Sequence, residues 1–266
     1  MTAPSQQAPF ELTRACVEFD GEHVVDEVDL TITAGEFVAI LGENGTGKTT
    51  LMRALLGLIP LAHGSLKLYG QPLASFRDWQ RLAYVPQRLL AAGNVPVSVE
   101  EVVRSARIGP QHRFRPDREA RARSHEALAA VGLEHRRRDR FDSLSGGQQR
   151  RVMIARALTT DADTFVFDEP TAGIDAESQE QLAATLATLS ERGSTILLVT
   201  HELGAVASLP TRAVVLGHTD HGSVLYDGAA PPPRHLRHDI AHHDHDHQAV
   251  AEQTPALLDQ PLPESP

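Results

Sequence analysis

Gly42-Glu43-Asn44-Gly45-Thr46-Gly47-Lys48-Thr49 decides the fold class of this chain. It fills every fixed position of the pattern G-x-x-x-x-G-K-[ST]. Before it runs the apolar, strand-like Glu36-Phe-Val-Ala-Ile-Leu41; after it comes Thr50-Leu-Met-Arg-Ala-Leu-Leu56, whose apolar residues recur at helical spacing. A strand feeding a glycine loop and then a helix aims backbone N–H groups and a positive helix end at an anion. Gly45 and Gly47 permit the tight turn and the close backbone approach that a Cβ would block. Lys48 is expected to reach the β/γ-phosphates of a nucleotide and the Thr49 hydroxyl to ligate Mg²⁺, with Gly42 to Thr50 forming the cradle.

Farther along, Leu144-Ser145-Gly146-Gly147-Gln148-Gln149-Arg150 precedes a helical run to Leu158. A serine cap and two glycines at a helix start make a second anion-seeking end. One chain has no evident internal use for both. Next comes Thr164-Phe-Val-Phe-Asp168-Glu169-Pro170, a buried-strand run ending in two carboxylates. Asp168 suits a Mg²⁺ ion, held directly or through water, and Glu169 suits a general base on an attacking water.

The stretch Leu144–Gln148 resembles the signature of the ATP-binding cassette (ABC) ATPases, and the resemblance spans about residues 10–230. It implies a head-to-tail homodimer in which Ser145, Gly146, Gly147 and Gln148 close over the ATP of the partner's phosphate loop. It implies further roles for residues that carry little signal singly. Gln87, after Leu82-Ala-Tyr-Val-Pro86, matches the glutamine loop that senses Mg²⁺ and meets the transporter. Asp175, in Ala172-Gly-Ile-Asp175, matches the loop passing between subunits, and His201, after Thr195–Thr200, matches the switch histidine at the γ-phosphate. Phe19 lies where the family places an adenine-stacking aromatic; as a member of the alternating strand Glu11–Phe19 it could equally point inward. Glu43 stands where proline is frequent and Gly173 where leucine is, and neither departure removes a catalytic group.

The 266 residues, 41% hydrophobic and 23% charged, are enough for a full core and one or two lobes. No stretch approaches the roughly 18 apolar residues of a membrane span, and the start Met1-Thr-Ala-Pro-Ser-Gln-Gln lacks signal-peptide character. The lone Cys16 precludes an internal disulfide. A cytosolic chain on the inner face of the membrane is expected, with the spanning part in a separate permease. The net charge of −10 argues against a nucleic-acid partner. The basic cluster Arg136–Arg140 reads as a solvated helix end.

Residues 10–86 read as strands around the phosphate loop, and residues 88–160 as largely helical, with a capping box at Ser98-x-x-Glu101 and a long helix from Asp117 to Val131. Residues 161–230 return to strand–helix alternation, which implies a parallel sheet covered by helices. The expected fold is therefore α/β: a phosphate-loop ATPase core with a mainly parallel sheet and an antiparallel β subdomain. A flexible start (1–9) precedes the ATPase domain (10–230), into which an α-helical subdomain at about 88–160 is inserted.

Residues 231–266 hold seven prolines and few apolar residues, a composition that favours a disordered tail. Six of the fourteen histidines lie within its residues 235–247, among them His238, His242, His243, His245 and His247, interleaved with Asp239, Asp244 and Asp246. Such crowding suits Zn²⁺, Ni²⁺ or Cu²⁺; a solvated tail without ligand stays open beside it. Thr171–Asp175, Tyr84–Gln87 and Pro96–Val103 resemble the zinc and manganese importer branch of the family. That branch implies an ATPase subunit for metal uptake, working with an extracytoplasmic metal-binding protein. The rivals are an ATPase subunit for another solute, such as an iron–siderophore or vitamin, and a soluble ABC ATPase acting on nucleic acid or ribosomes.

Overall fold

The computed structural model describes residues 7–87, 97–107, 118–219, 222–233 and 235–236. Two sheets organise them. The first is four-stranded and antiparallel, in the order β2 (Glu22–Ile32), β1 (Phe10–Phe19), β4 (His63–Leu68), β5 (Gln71–Pro72). The second has six strands, in the order β10 (Gly222–Ala229), β9 (Arg212–Thr219), β3 (Phe37–Leu41), β8 (Thr195–Val199), β7 (Thr164–Asp168), β6 (Leu82–Val85). From β9 to β6 the strands run parallel; β10 closes one edge antiparallel.

Every residue of β3, β7 and β8 is buried. That is why these segments read as unbroken apolar runs: a parallel strand covered on both faces has no solvent side to alternate with. Their side chains still divide by the strand's period of two. Val166, Leu197 and Val199 pack with Leu51, Met52 and Leu55 of helix α1 (Lys48–Leu55) and with Phe10 and Ile32 of the antiparallel sheet. Phe165, Phe167, Ile196 and Leu198 point the other way, onto helices α2 (Val99–Arg104), α3 (Arg118–Ala130), α4 (Gly146–Leu158) and α5 (Ala176–Glu191). Helix α1 is thus sandwiched between the two sheets, and it carries the phosphate loop at its start.

The Ser98/Glu101 capping box forms as expected, Ser98 Oγ accepting from the Glu101 N–H at 3.3 Å and the Glu101 carboxylate accepting from the Ser98 N–H at 2.7 Å. The cluster Arg136–Arg140 begins in a short 3₁₀ turn rather than at the end of a long helix. Helix α3 stops at Ala130, Glu134–Arg136 form one 3₁₀ turn, and Arg136 and Arg140 pair with Asp139 and Asp142 at 3.6 and 2.5 Å. Local carboxylates thus meet two of its four arginines. Pro9, counted with the N-terminal stretch, is buried, and its carbonyl accepts from the Tyr69 N–H at 3.3 Å.

Between the sheets, the Tyr69 hydroxyl donates to Asp163 Oδ1 (2.5 Å) and sits 2.7 Å from Thr164 Oγ1, while Arg81 covers its ring and pairs with Asp163. This knot ties the end of β4 to the start of β7, the strand that delivers Asp168.

Candidate functional site

Parallel strands end on the same side of a sheet, and in open α/β sheets ligands bind outside those carboxyl ends. Four strands bring the site together there. The phosphate loop follows β3, Asp168 ends β7 with Glu169 next, His201 follows β8 and Gln87 follows β6.

Gly47 caps α1 with φ 86°, and a Cβ there would lie 2.6 Å from the Val24 carbonyl. Strand β2 therefore abuts the loop, and only glycine fits. Lys48 is buried, its ammonium donating to the carbonyls of Gly42 (2.7 Å) and Glu43 (2.6 Å). Thr46 Oγ1 braces the turn by donating to the Glu43 carbonyl at 2.9 Å. Asn44 and Gly45 form the exposed tip, and Thr49 and Thr50 remain partly exposed.

Asp168 is 3% exposed, and its Oδ1 finds no hydrogen-bond partner among the described residues. Burial, then the neighbouring Glu169, push its carboxyl above the ordinary range, while the Gln87 N–H and the Tyr84 hydroxyl engage it. The same burial, with Asp168 beside it, pushes the Tyr84 hydroxyl up to about 12. An anionic oxygen in a dry pocket without a donor suits a divalent cation. Glu169, 6% exposed, adopts φ 48°, a conformation rare for a residue with a Cβ and held here by its surroundings. Its N–H donates to the Val199 carbonyl (2.8 Å), and its Oε2 lies 2.8 Å from His201 Nδ1. Two residues 32 positions apart in sequence are thus joined directly.

The helix start at Ser145 is capped as the sequence indicates. Ser145 caps α4 and forms a capping box with Gln148 (3.1 and 3.3 Å); space beyond Gly146 is open, and Gly147 packs on Ile174. Asp175 caps α5, accepting from the Ser178 N–H (2.9 Å) and hydroxyl (2.8 Å), which hold its carboxyl below the ordinary range. Phe19 closes β1 and is 51% exposed, so the inward alternative does not hold. The tail histidines 238, 242, 243, 245 and 247 lie outside the described residues.

Arg150 was not recognised as a site residue from sequence. From α4 its guanidinium donates to the carbonyls of Gln87 (2.8 Å), Glu169 (2.9 Å) and Ala172. All three acceptors are backbone atoms of distant loops, which no side-chain motif advertises. A planar fork can serve three carbonyls where an ammonium serves fewer. Arg150→Ala is expected to lower turnover roughly tenfold with ATP affinity little changed, because each charge-assisted bond is worth about 1.5–3 kcal/mol. Arg150→Lys should not restore the rate. Equilibrium nucleotide binding beside steady-state hydrolysis checks this, and an equal loss in both would place Arg150 in the cradle instead.

Fold and site together define a phosphate-loop ATPase. The chain belongs to the ABC transporter family, whose profile matches residues 25–172. It is 41% identical to the zinc transport system ATP-binding protein TroB of Treponema pallidum over 73% of this chain and 72% of that one. It is 37% identical to the manganese transport system ATP-binding protein MntB of Bacillus subtilis, over 73% and 78%. It is also 37% identical to the phosphonates import ATP-binding protein PhnC of Trichormus variabilis, over 77% and 86%. Among solved structures, cbiO1 of Clostridium perfringens, part of the ABC transporter complex cbiONQ, superposes with a TM-score of 0.70 at 26% identity, covering 84% of this chain and 89% of that one. The protein is an ATP-hydrolysing subunit of a membrane transporter, using ATP and Mg²⁺ and working with permease subunits. No helix among the described residues is long and apolar enough to cross a membrane.

Proposed function

We propose that this subunit powers uptake of a divalent metal ion, zinc or manganese, from the cytoplasmic face of the cell membrane. The observation that carries the ATPase mechanism is the pairing of Glu169 with His201 beside the orphaned Asp168 oxygen. Lys48 and the N–H groups of Gly42 to Thr50 hold the phosphates, and Phe19 offers its exposed ring to adenine. Asp168, Thr49 and Gln87 would hold Mg²⁺, which when bound would supply positive charge against that developing on the phosphoryl oxygens. Glu169 takes the proton of the attacking water, and His201 orients that carboxylate and reaches the γ-phosphate. Ser145–Gln148 serve the partner's nucleotide in a head-to-tail homodimer, with Asp175 at the crossing loop. The α-helical part and Gln87 meet a multi-span permease, which receives its cargo from an extracytoplasmic metal-binding protein.

The metal rests on the relatives named for zinc and manganese transport; the phosphonate relative is the specific observation for a second reading, another solute. Cells lacking this chain are expected to lose uptake of radioactive zinc or manganese and to regain it with the wild type but not with Glu169→Gln. Intact metal uptake with a lost phosphonate or siderophore uptake would overturn the metal.

The histidine-rich tail is proposed to bind Zn²⁺ weakly and in several geometries, since fixing backbone around an ion costs roughly 1–2 kcal/mol per residue. Truncation belongs after Pro233: Pro232 is buried, and the Ala230 N–H donates to the Thr211 carbonyl at 3.1 Å. The shortened chain is expected to keep its hydrolysis and, in calorimetry, to lose the weak zinc binding that belongs to the tail. Undiminished binding would refute the tail as the site.

A further inference from the structure

Far along the chain from the tail, the antiparallel sheet gathers three ligand types on one spot. Cys16 on β1 and His23 and Asp26 on β2 place Sγ, a ring nitrogen and a carboxylate oxygen within 4.8 Å of one another. Asp26 Oδ1 is 3.4 Å from Cys16 Sγ and 3.5 Å from His23 Nδ1. Tetrahedral zinc with bonds of about 2.3 Å to sulfur and about 2.0–2.2 Å to nitrogen and oxygen requires S···O and N···O separations of about 3.6 and 3.4 Å. Two edges of the ligand tetrahedron are therefore already present to within a few tenths of an ångström.

Three further features favour a cation here. Glu18 Oε1 lies 3.2 Å from His23 Nε2, the carboxylate–histidine arrangement that fixes an imidazole's tautomer at metal centres. The other ring nitrogen, Nδ1, faces Asp26 Oδ1 at 3.5 Å. The Glu27 N–H donates to Cys16 Sγ at 3.3 Å, a bond that favours the thiolate. It does so from a strand irregularity: Val25 and Val28 of β2 pair with Val17 and Ala15, leaving Asp26 and Glu27 opposite Cys16, with Glu27 at φ 42°. Bulges re-aim side chains, and here one turns both groups toward the sulfur. Asp26 is held in turn by its N–H to Ser223 Oγ at 2.9 Å.

We propose that Cys16, His23 and Asp26 form a site for one zinc-class divalent cation, with water as fourth ligand. Metal binding displaces the thiol proton, which leaves to solvent, and the cation balances the thiolate and the carboxylate. The thiol must lose its proton to bind the cation, so occupancy should rise with pH. None of the site's three ligands is among the residues assigned to the nucleotide.

Cys16 is the sole cysteine, so a thiolate-to-Co²⁺ charge-transfer absorption reports this site and is blind to the tail histidines. The full-length protein, reduced with a phosphine and titrated with Co²⁺, is expected to develop that band to saturation at one equivalent and to lose it on adding Zn²⁺. Cys16→Ser should abolish it. His23→Gln, on the exposed rim, and Asp26→Asn should each weaken Co²⁺ binding at least tenfold without loss of ATP binding, which certifies the fold. Replacing His238, His242, His243, His245 and His247 by Asn should leave the band intact. Absence of the band in the wild type, its persistence in both His23→Gln and Asp26→Asn, or its loss with the tail variant would each overturn the site.

Discussion

Glu169→Gln is expected to reduce ATP hydrolysis by a factor of roughly 10²–10⁴, the usual contribution of a positioned general base. The amide cannot accept the water's proton. Everything else at the position survives: the amide oxygen can still accept from His201 Nδ1, and the N–H to Val199 is a backbone bond. Lys48 and the loop carbonyls that hold it are untouched, so ATP binding should persist. Nucleotide that is bound but not hydrolysed should accumulate a dimer in size-exclusion chromatography with ATP and Mg²⁺. Hydrolysis near the wild-type rate would remove Glu169 from the role of base.

Ser145→Arg should eliminate hydrolysis while leaving ATP binding to the monomer nearly unchanged. Within one chain Ser145 engages Gln148, and among the described residues nothing beyond the helix start itself lies within 4 Å of the position a Cβ on Gly146 would take. A helix start with free N–H groups and open space is suited to a partner's phosphates, and a bulky side chain there blocks the approach. Losing a preorganised anion-stabilising donor is typically worth roughly 10²–10³ in rate. The cap itself contributes about 0.5–2 kcal/mol, so Ser145→Asn, which retains a capping side chain, separates a stability loss from a lost site. Binding by the monomer and hydrolysis falling together would count against an arrangement in which each subunit completes the other's site.

The phosphate loop, the paired carboxylates and the serine–glycine helix start were legible because each is a local pattern with a local cause. A glycine at φ 86°, a buried strand ending in acids and a capping box need only near neighbours in sequence. The parallel sheet followed from the strand–helix alternation of residues 161–230. Gln87, Asp175 and His201 were nominated by family resemblance, since a lone glutamine or histidine carries no periodic signal.

Contacts between loops far apart in the chain could be decided by the tertiary structure alone. The Glu169–His201 bond exists because β7 and β8 are parallel neighbours, Asp168 pairing with Val199 in register. Arg150 meets three carbonyls that are adjacent only once β6, β7 and α4 have packed. Phe19 was ambiguous by strand period and resolved by exposure. The Cys16–His23–Asp26 cluster depends on a slip in pairing between β1 and β2, which strict alternation cannot encode. Sequence by itself determined which segments are strands, helices and phosphate-binding turns, because backbone propensity and burial period act over a few residues. Which polar atoms meet was left to tertiary structure, because strand order and register bring together groups that share no local rule.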